Sequence, residues 1–169
     1  MRVGQAKELF RALTKQYFGG ANVVFANQSR TAKQKKPLVV LTPGNVHRPQ
    51  APNYTFVDGE VVGHYLSRFS ITVDLFTNGS PVVDEVSGKV VAYEDNAVDD
   101  MLSFADFLNS EHTVQWSHQN DVSILIDGDV LNLTGVVNDT SYEFRSRLTV
   151  QFYFTQKAVG ASTALLESS

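Results

Sequence analysis

Few residues in this chain have types that do chemistry, and their spacing does not assemble a reaction centre. The only imidazoles are His47, His64, His112 and His118, and there is no cysteine. Thiolate catalysis, disulfides and Cys-based zinc sites are therefore excluded. His112 and His118 lie six apart, which is not the i, i+4 spacing that puts two histidines on one helix face around a zinc ion. Asp127-Gly128-Asp129 has the oxygen ligands a cation needs, but the remaining positions of a calcium loop do not follow, so it reads as a turn. Val86-Ser87-Gly88-Lys89 is like the end of a phosphate loop, yet Val83 stands where the first glycine of that motif belongs. Asp99, Asp100 and Asp106 share a helix and read as a solvated or interface face, not as an acid–base pair. No nucleophile elbow or dinucleotide-binding glycine turn occurs. The chain is read as non-enzymatic, with no cofactor and no metal.

Charge is the stronger signal. The net charge is −4, but residues 1–50 hold nine of the 14 Lys/Arg and one of the 18 acids, a balance of +8, against −12 over the other 119 residues. Three readings follow: mixed surface patches, head-to-tail association of a basic side with an acidic side, or an acidic-protein or nucleic-acid partner for the basic third. The candidate contact residues are Arg30, Lys33, Lys35 and Lys36 in a polar loop, Asp99 and Asp100 at a helix start, and Glu143, Arg145 and Arg147 on one strand. The last three alternate along the strand, so their side chains form a row at about 7 Å spacing. That row reads as a solvated sheet face, as salt bridges between subunits or as the lining of a channel. The basic loop gives an alternative function, an adaptor that binds an acidic protein or nucleic acid, and a further alternative is a small metal-dependent hydrolase, for which only Asp127-Gly128-Asp129 speaks. Trp116 and the tyrosines are not interleaved with basic residues, apart from Tyr153 near Arg145 and Arg147, so base recognition by stacking is disfavoured.

The elements that must position these residues can be read from periodicity. Tyr142 to Thr155 alternates strictly: Phe144, Leu148, Val150, Phe152 and Phe154 share a parity broken only by Ser146, and polar residues fill the other. This predicts a long strand with one buried face. His64 to Thr77 repeats the pattern with Phe69, Ile71, Val73 and Leu75, and the two strands are expected to pair. Ala6, Leu9, Phe10, Leu13 and Tyr17 predict a helix over Gly4–Phe18, stopped by Gly19-Gly20. A second helix is predicted over Asn96–Ser110 with Asn96 as its cap, and Phe104 and Phe107 widen its apolar face. Short strands are expected at Val23–Ala26, at Leu38–Thr42 with Pro43-Gly44 as its end, at Val122–Ile126 and at Val130–Val137. Asp58-Gly59 and Ser87-Gly88 each join apolar runs, which predicts two projecting hairpins. The segment Glu111–His118 carries no clear period.

A length of 169 residues with 43% hydrophobic composition suits one domain with a real core. No apolar run reaches the roughly 20 residues of a membrane span, and the opening MRVGQAKELFRAL lacks the apolar core of a signal peptide. The expected fold class is α+β, a mainly antiparallel sheet with two helices packed on one face plus projecting β-hairpins. A single domain over 1–157 is expected, followed by a flexible tail over 158–169.

Four features in order resemble the tail or neck terminator proteins of tailed bacteriophages. They are the amphipathic first helix, then Val23-Val24-Phe25-Ala26-Asn27-Gln28 with Arg30 and Pro37, then the strand Arg68–Leu75, then Tyr142-Glu143-x-Arg145-x-x-Leu148-x-Val150-x-Phe152. The resemblance spans about residues 4–156. Thr31 stands where that pattern has a proline, Lys33–Lys36 is unusually basic, and the hairpin Val82–Tyr93 looks like an addition. The resemblance implies a virion structural protein, located in the tail or neck and assembled in the host cytoplasm. It implies a hexameric ring that terminates the tail tube and joins it to the neck or head connector, with DNA passing non-specifically through the lumen. The implied partners are further copies of the chain, the tail tube protein, a neck or connector protein and, in a contractile tail, the sheath protein, with no membrane involved.

Overall fold

The computed structural model describes residues 1–28, 35–138 and 141–158. In chain order the elements are α1 (Val3–Tyr17), β1 (Asn22–Phe25), a short 3-10 helix (Ala26–Gln28), β2 (Leu38–His47), β3 (Asn53–Val57), β4 (Glu60–Thr77), β5 (Ser80–Val83), β6 (Val90–Glu94), α2 (Ala97–Leu108), α3 (Glu111–Asn120), β7 (Val122–Ile126), β8 (Leu131–Asn132), β9 (Gly135–Asn138) and β10 (Ser141–Lys157). The two long alternating stretches become β4 and β10. They pair antiparallel from Phe144 opposite Thr77 to Lys157 opposite His64. The main sheet runs β1-β2-β4-β10-β7, with β3 added to β4 and with β8 and β9 added to β10. Only β1 against β2 is parallel among the paired strands described. The chain is α+β with a mainly antiparallel sheet, as its alternation predicts.

Parity decides the core. Phe69, Ile71, Val73 and Leu75 of β4 and Leu148, Val150, Phe152 and Phe154 of β10 are fully buried, joined by Val39 and Leu41 of β2. Ala6, Phe10 and Leu13 of α1 and Met101, Phe104 and Leu108 of α2 belong to the same cluster. Phe10 meets Phe152 edge-on at 5.8 Å between centroids, and Phe152 meets Phe69 at 5.6 Å. Truncating a buried Phe such as Phe152 to Ala costs about 3–5 kcal/mol through lost transfer energy and the cavity left behind. The wide face of α2 is satisfied within the chain, because Phe104 and Phe107 pack on Tyr17 at 5.3 and 5.0 Å. Ser146, the break in the apolar parity of β10, is also fully buried, and its hydroxyl donates to the Ala97 carbonyl at 2.6 Å. A small polar residue here ties the start of α2 to the sheet.

Several boundaries differ from expectation, each for a local reason. Among the described residues there are three α-helices where two were expected. Glu111–Asn120 forms α3, started by Ser110, whose side chain accepts from the Thr113 backbone N–H, and ended by Asp121 in the left-handed region at φ 53°. It is short and polar and buries little beyond Thr113, so it has no apolar stripe to betray it. Pro43-Gly44 does not end β2. The strand continues to His47 through a bulge between Pro43 and Val46. Past Leu41 it has no β1 partner, so the missing N–H of Pro43 faces an edge, where proline is tolerated. The strand expected over Val130–Val137 is split into β8 and β9. Between them the Thr134 hydroxyl accepts the Arg145 backbone N–H at 3.0 Å, replacing a ladder bond. Asn96 occupies the cap position of α2 but makes no side-chain cap bond. Asp95 does so instead, accepting the Ala97 N–H at 3.0 Å, while Asn96 accepts from the Thr77 hydroxyl and donates to Asp100.

Candidate assembly surface

The expected contact residues fall into separate places. Arg145 and Arg147 converge on Asp74, the direct cross-strand partner of Arg147. Asp74 Oδ1 accepts from Arg145 Nε and Nη2 at 3.2 and 3.0 Å and from Arg147 Nε at 2.9 Å, while Oδ2 accepts from Arg147 Nη2 at 3.1 Å. The two guanidinium groups cover the carboxylate so well that its side chain is 6% exposed, although it lies on the face of the sheet opposite the helices. Asp74 in turn holds Arg147 above its ordinary range by hydrogen bonding. Arg145 also lies over the Phe76 ring, 4.9 Å from its centroid. The row on β10 is therefore an intrachain ion-pair network. Its third member, Glu143, pairs with Lys36 at 3.6 Å.

The other candidates are not drawn together. Lys35 is exposed, and its carbonyl accepts from Asn22. Asp99 is exposed on the first turn of α2. Asp100 is half-buried, and burial together with the Asp99 charge pushes its carboxyl above the usual range. Arg30 and Lys33 lie outside the described residues, as does nearly all of the tail over 158–169. No group of three or more His, Asp or Glu side chains is placed to hold a metal among the described residues. His112 stands by Gln16 at 3.1 Å and His64 by Thr55 at 2.9 Å.

Sequence reasoning missed the exposed apolar surface on the two hairpins. In the β3–β4 hairpin, Tyr54, Phe56 and Val57 are exposed, and Phe56 reaches 80%. The turn is Asp58-Gly59, both at positive φ, as a tight hairpin joining right-twisted strands requires. In the β5–β6 hairpin, Val83, Val86, Val90, Val91 and Tyr93 are exposed, and Val86 reaches 95%. The signal was available in the sequence: in Tyr54–Val57 and Val90–Tyr93, apolar residues occupy both parities, which a half-buried strand does not do. β4 has 18 residues, about 56 Å of strand. The Asp58-Gly59 turn leads into its start and β5 follows its end, so the two hairpins stand at opposite ends of one strand. Exposed apolar groups clustered on projecting elements are the kind of surface that contact sites use.

Among the described residues no group of three or more His, Asp or Glu side chains placed to hold a metal stands beside these hairpins. The sequence model of the family described as phage neck terminator protein matches residues 7–167, nearly the whole chain. The chain belongs to the phage neck terminator family. No curated protein gives a significant match. As a neck terminator it is a structural protein of the phage virion, and its family is not a class of enzymes. Membership fits the residues that carry the resemblance. Val23–Gln28 forms β1 and the 3-10 turn, and the Tyr-Glu-x-Arg segment opens β10 at the Asp74 ion pairs. Neck terminators work among other tail and neck proteins, which gives the exposed hairpins their context.

Proposed function

We propose that this neck terminator forms a closed ring, a hexamer of identical subunits, that caps the tail tube and joins it to the neck or head connector, with DNA passing through the lumen. The observation that carries the reading is the pair of exposed apolar hairpins at opposite ends of β4, set on a chain of the neck terminator family. Surfaces at both ends of a rigid strand suit a subunit that has neighbours on more than one side. The charge split between the first 50 residues and the rest suits a heterologous contact, in which one patch meets a different patch on the next copy until rotation closes the ring. The acidic excess suits a channel through which DNA slides, since many phosphate contacts would hold it in a salt-dependent grip. The test is the mass of the purified full chain by light scattering, with negative-stain images of the chain alone and on isolated tails. The expected result is a closed ring that sits at the end of the tail tube. A monomer at high concentration that does not associate with tail tubes overturns the proposal.

A further inference from the structure

The β5–β6 ribbon is ordered at both ends and packed on little but itself. At its root, Gly79 has φ 78°, and a Cβ there would come within 2.5 Å of the Glu94 carbonyl and 2.6 Å of the Phe144 ring. Beside it the Thr134 hydroxyl donates to Asp95 at 2.5 Å. At the tip, the Asp84 carboxylate accepts from the backbone N–H of Val86 at 3.3 Å and of Ser87 at 3.1 Å. The Asp84 backbone donates to the Lys89 carbonyl and accepts from Gly88 N–H. Between root and tip, β5 and β6 pack chiefly against each other. An isolated two-stranded hairpin is marginal in water. Turn chemistry that fixes such an element, while its apolar side chains stay exposed, preorganises it for a partner and lowers the ordering cost of binding.

The same chain carries a groove on another part of its surface. Its volume is about 280 Å³, and it is lined by Lys7, Phe25, Ala26, Asn27, Thr42 and Pro43. Arg11 lies over the Phe25 ring at 5.6 Å. The groove thus has Phe25, Ala26 and Pro43 as an apolar wall and Lys7 as its cation, since Arg11 is paired with Glu8 at 3.2 Å. The ribbon has the opposite character: Val86 stands at its tip, and Asp84, Glu85 and Glu94 outweigh Lys89. The two features belong to different parts of the subunit. Thr42 and Pro43 pair with Thr72 and Ile71 in the middle of β4, about 20 Å of strand short of Thr77, beyond which the ribbon begins.

We propose that the β5–β6 ribbon is a docking arm whose Val86 tip seats in the groove between α1, β1 and β2 of a second copy of this chain, with Glu85 against Lys7. This rests on the ring reading and names the contact that closes it. Two unlike patches of opposite charge on one chain make a heterologous contact, and an acidic tip repels nucleic-acid phosphate.

Because the chain has no cysteine, introduced thiols report unambiguously. Full-length Val86→Cys and Asn27→Cys variants, mixed under mild oxidation, are expected to give a disulfide-linked dimer that neither forms to the same extent alone. Glu85→Lys and Lys7→Glu are each expected to raise the concentration for assembly by about tenfold or more, and the double variant to restore it, with the circular dichroism of all three matching the parent. A ring that forms on tails without the mixed crosslink, or that the charge swaps leave unchanged, overturns the docking arm and leaves the ring standing. A crosslink from Val86→Cys to the tail tube protein in place of a second copy also overturns it. A parent chain that stays monomeric and off the tails overturns both.

Discussion

Asp74 and Arg147 face each other across the β4–β10 ladder, and the Asp74 carboxylate accepts hydrogen bonds from both Arg147 and Arg145. A charge on the face away from the helices is thus buried by its own partners. Asp74→Ala leaves two guanidinium groups crowded without their anion. Since both remain about a third exposed, the expected loss is about 2 kcal/mol, less than the 3–5 kcal/mol of a fully buried pair. Urea denaturation measures it. Reversing Arg145 and Arg147 to Glu is expected to lower the midpoint further, because three carboxylates would then share one site; an unchanged midpoint would return the row to a contact role.

Gly79 connects β4 to the ribbon with φ 78° and no room for a Cβ. Gly79→Ala is expected to cost at least about 3 kcal/mol, combining left-handed backbone strain with the clash against Phe144 and the Glu94 carbonyl. A thermal melt reads this directly. A cost below about 1 kcal/mol would mean that the root of the ribbon yields easily.

Ser146→Ala removes the 2.6 Å bond to the Ala97 carbonyl while keeping the space nearly filled. The expected cost is about 1 kcal/mol. Amide exchange in the first turn of α2 should rise relative to the core of β10.

Asp100 gives a pH dependence with a definite sign. Its folded carboxyl is raised above the ordinary value by burial and by Asp99. A raised group contributes stability that is present below the unfolded value, about 3.9, and is lost as pH rises through the folded value. Asp100→Asn is therefore expected to raise the melting temperature at neutral pH, with the gain vanishing as pH falls toward 3. A gain that persists at low pH would mean that packing, not charge, is responsible.

Phe56 is 80% exposed at the tip of the β3–β4 hairpin. Phe56→Ser is expected to change stability by no more than about 0.5 kcal/mol while weakening attachment to tails or to other copies. A folded variant that assembles and attaches like the parent would assign the hairpin to plain surface.

Much of the fold is legible in the sequence because alternation is a local signal. Phe69–Leu75 and Leu148–Phe154 announce both long strands and their buried faces, and the Asp58-Gly59 turn announces its hairpin. What is not local is not legible. Arg145 and Arg147 look like a free row until the register brings Asp74 across from them, 71 and 73 positions earlier in the chain. α3 hides because its stability comes from Ser110, Asp121 and packing against β7, not from an apolar stripe. Ser146 looks like a defect in a pattern until Ala97 is seen beside it. Contact residues were sought among charges, and the exposed apolar side chains of the two hairpins were passed over.

The unbroken pairing of β4 with β10 sets how the separation of the two hairpins can evolve. Side chains alternate faces with period two, so inserting a single residue in β4 would turn Phe69–Leu75 out of the core. An even insertion keeps parity but shifts the β10 partners, Phe144 to Lys157, of the residues Thr77 to His64. Unless a bulge absorbs the extra residue, the spacing therefore changes in steps of two residues, about 6.6 Å, made in both strands together. In the proposed ring such a strand acts as a fixed gauge, to whose length neighbours at its two ends would have to adapt.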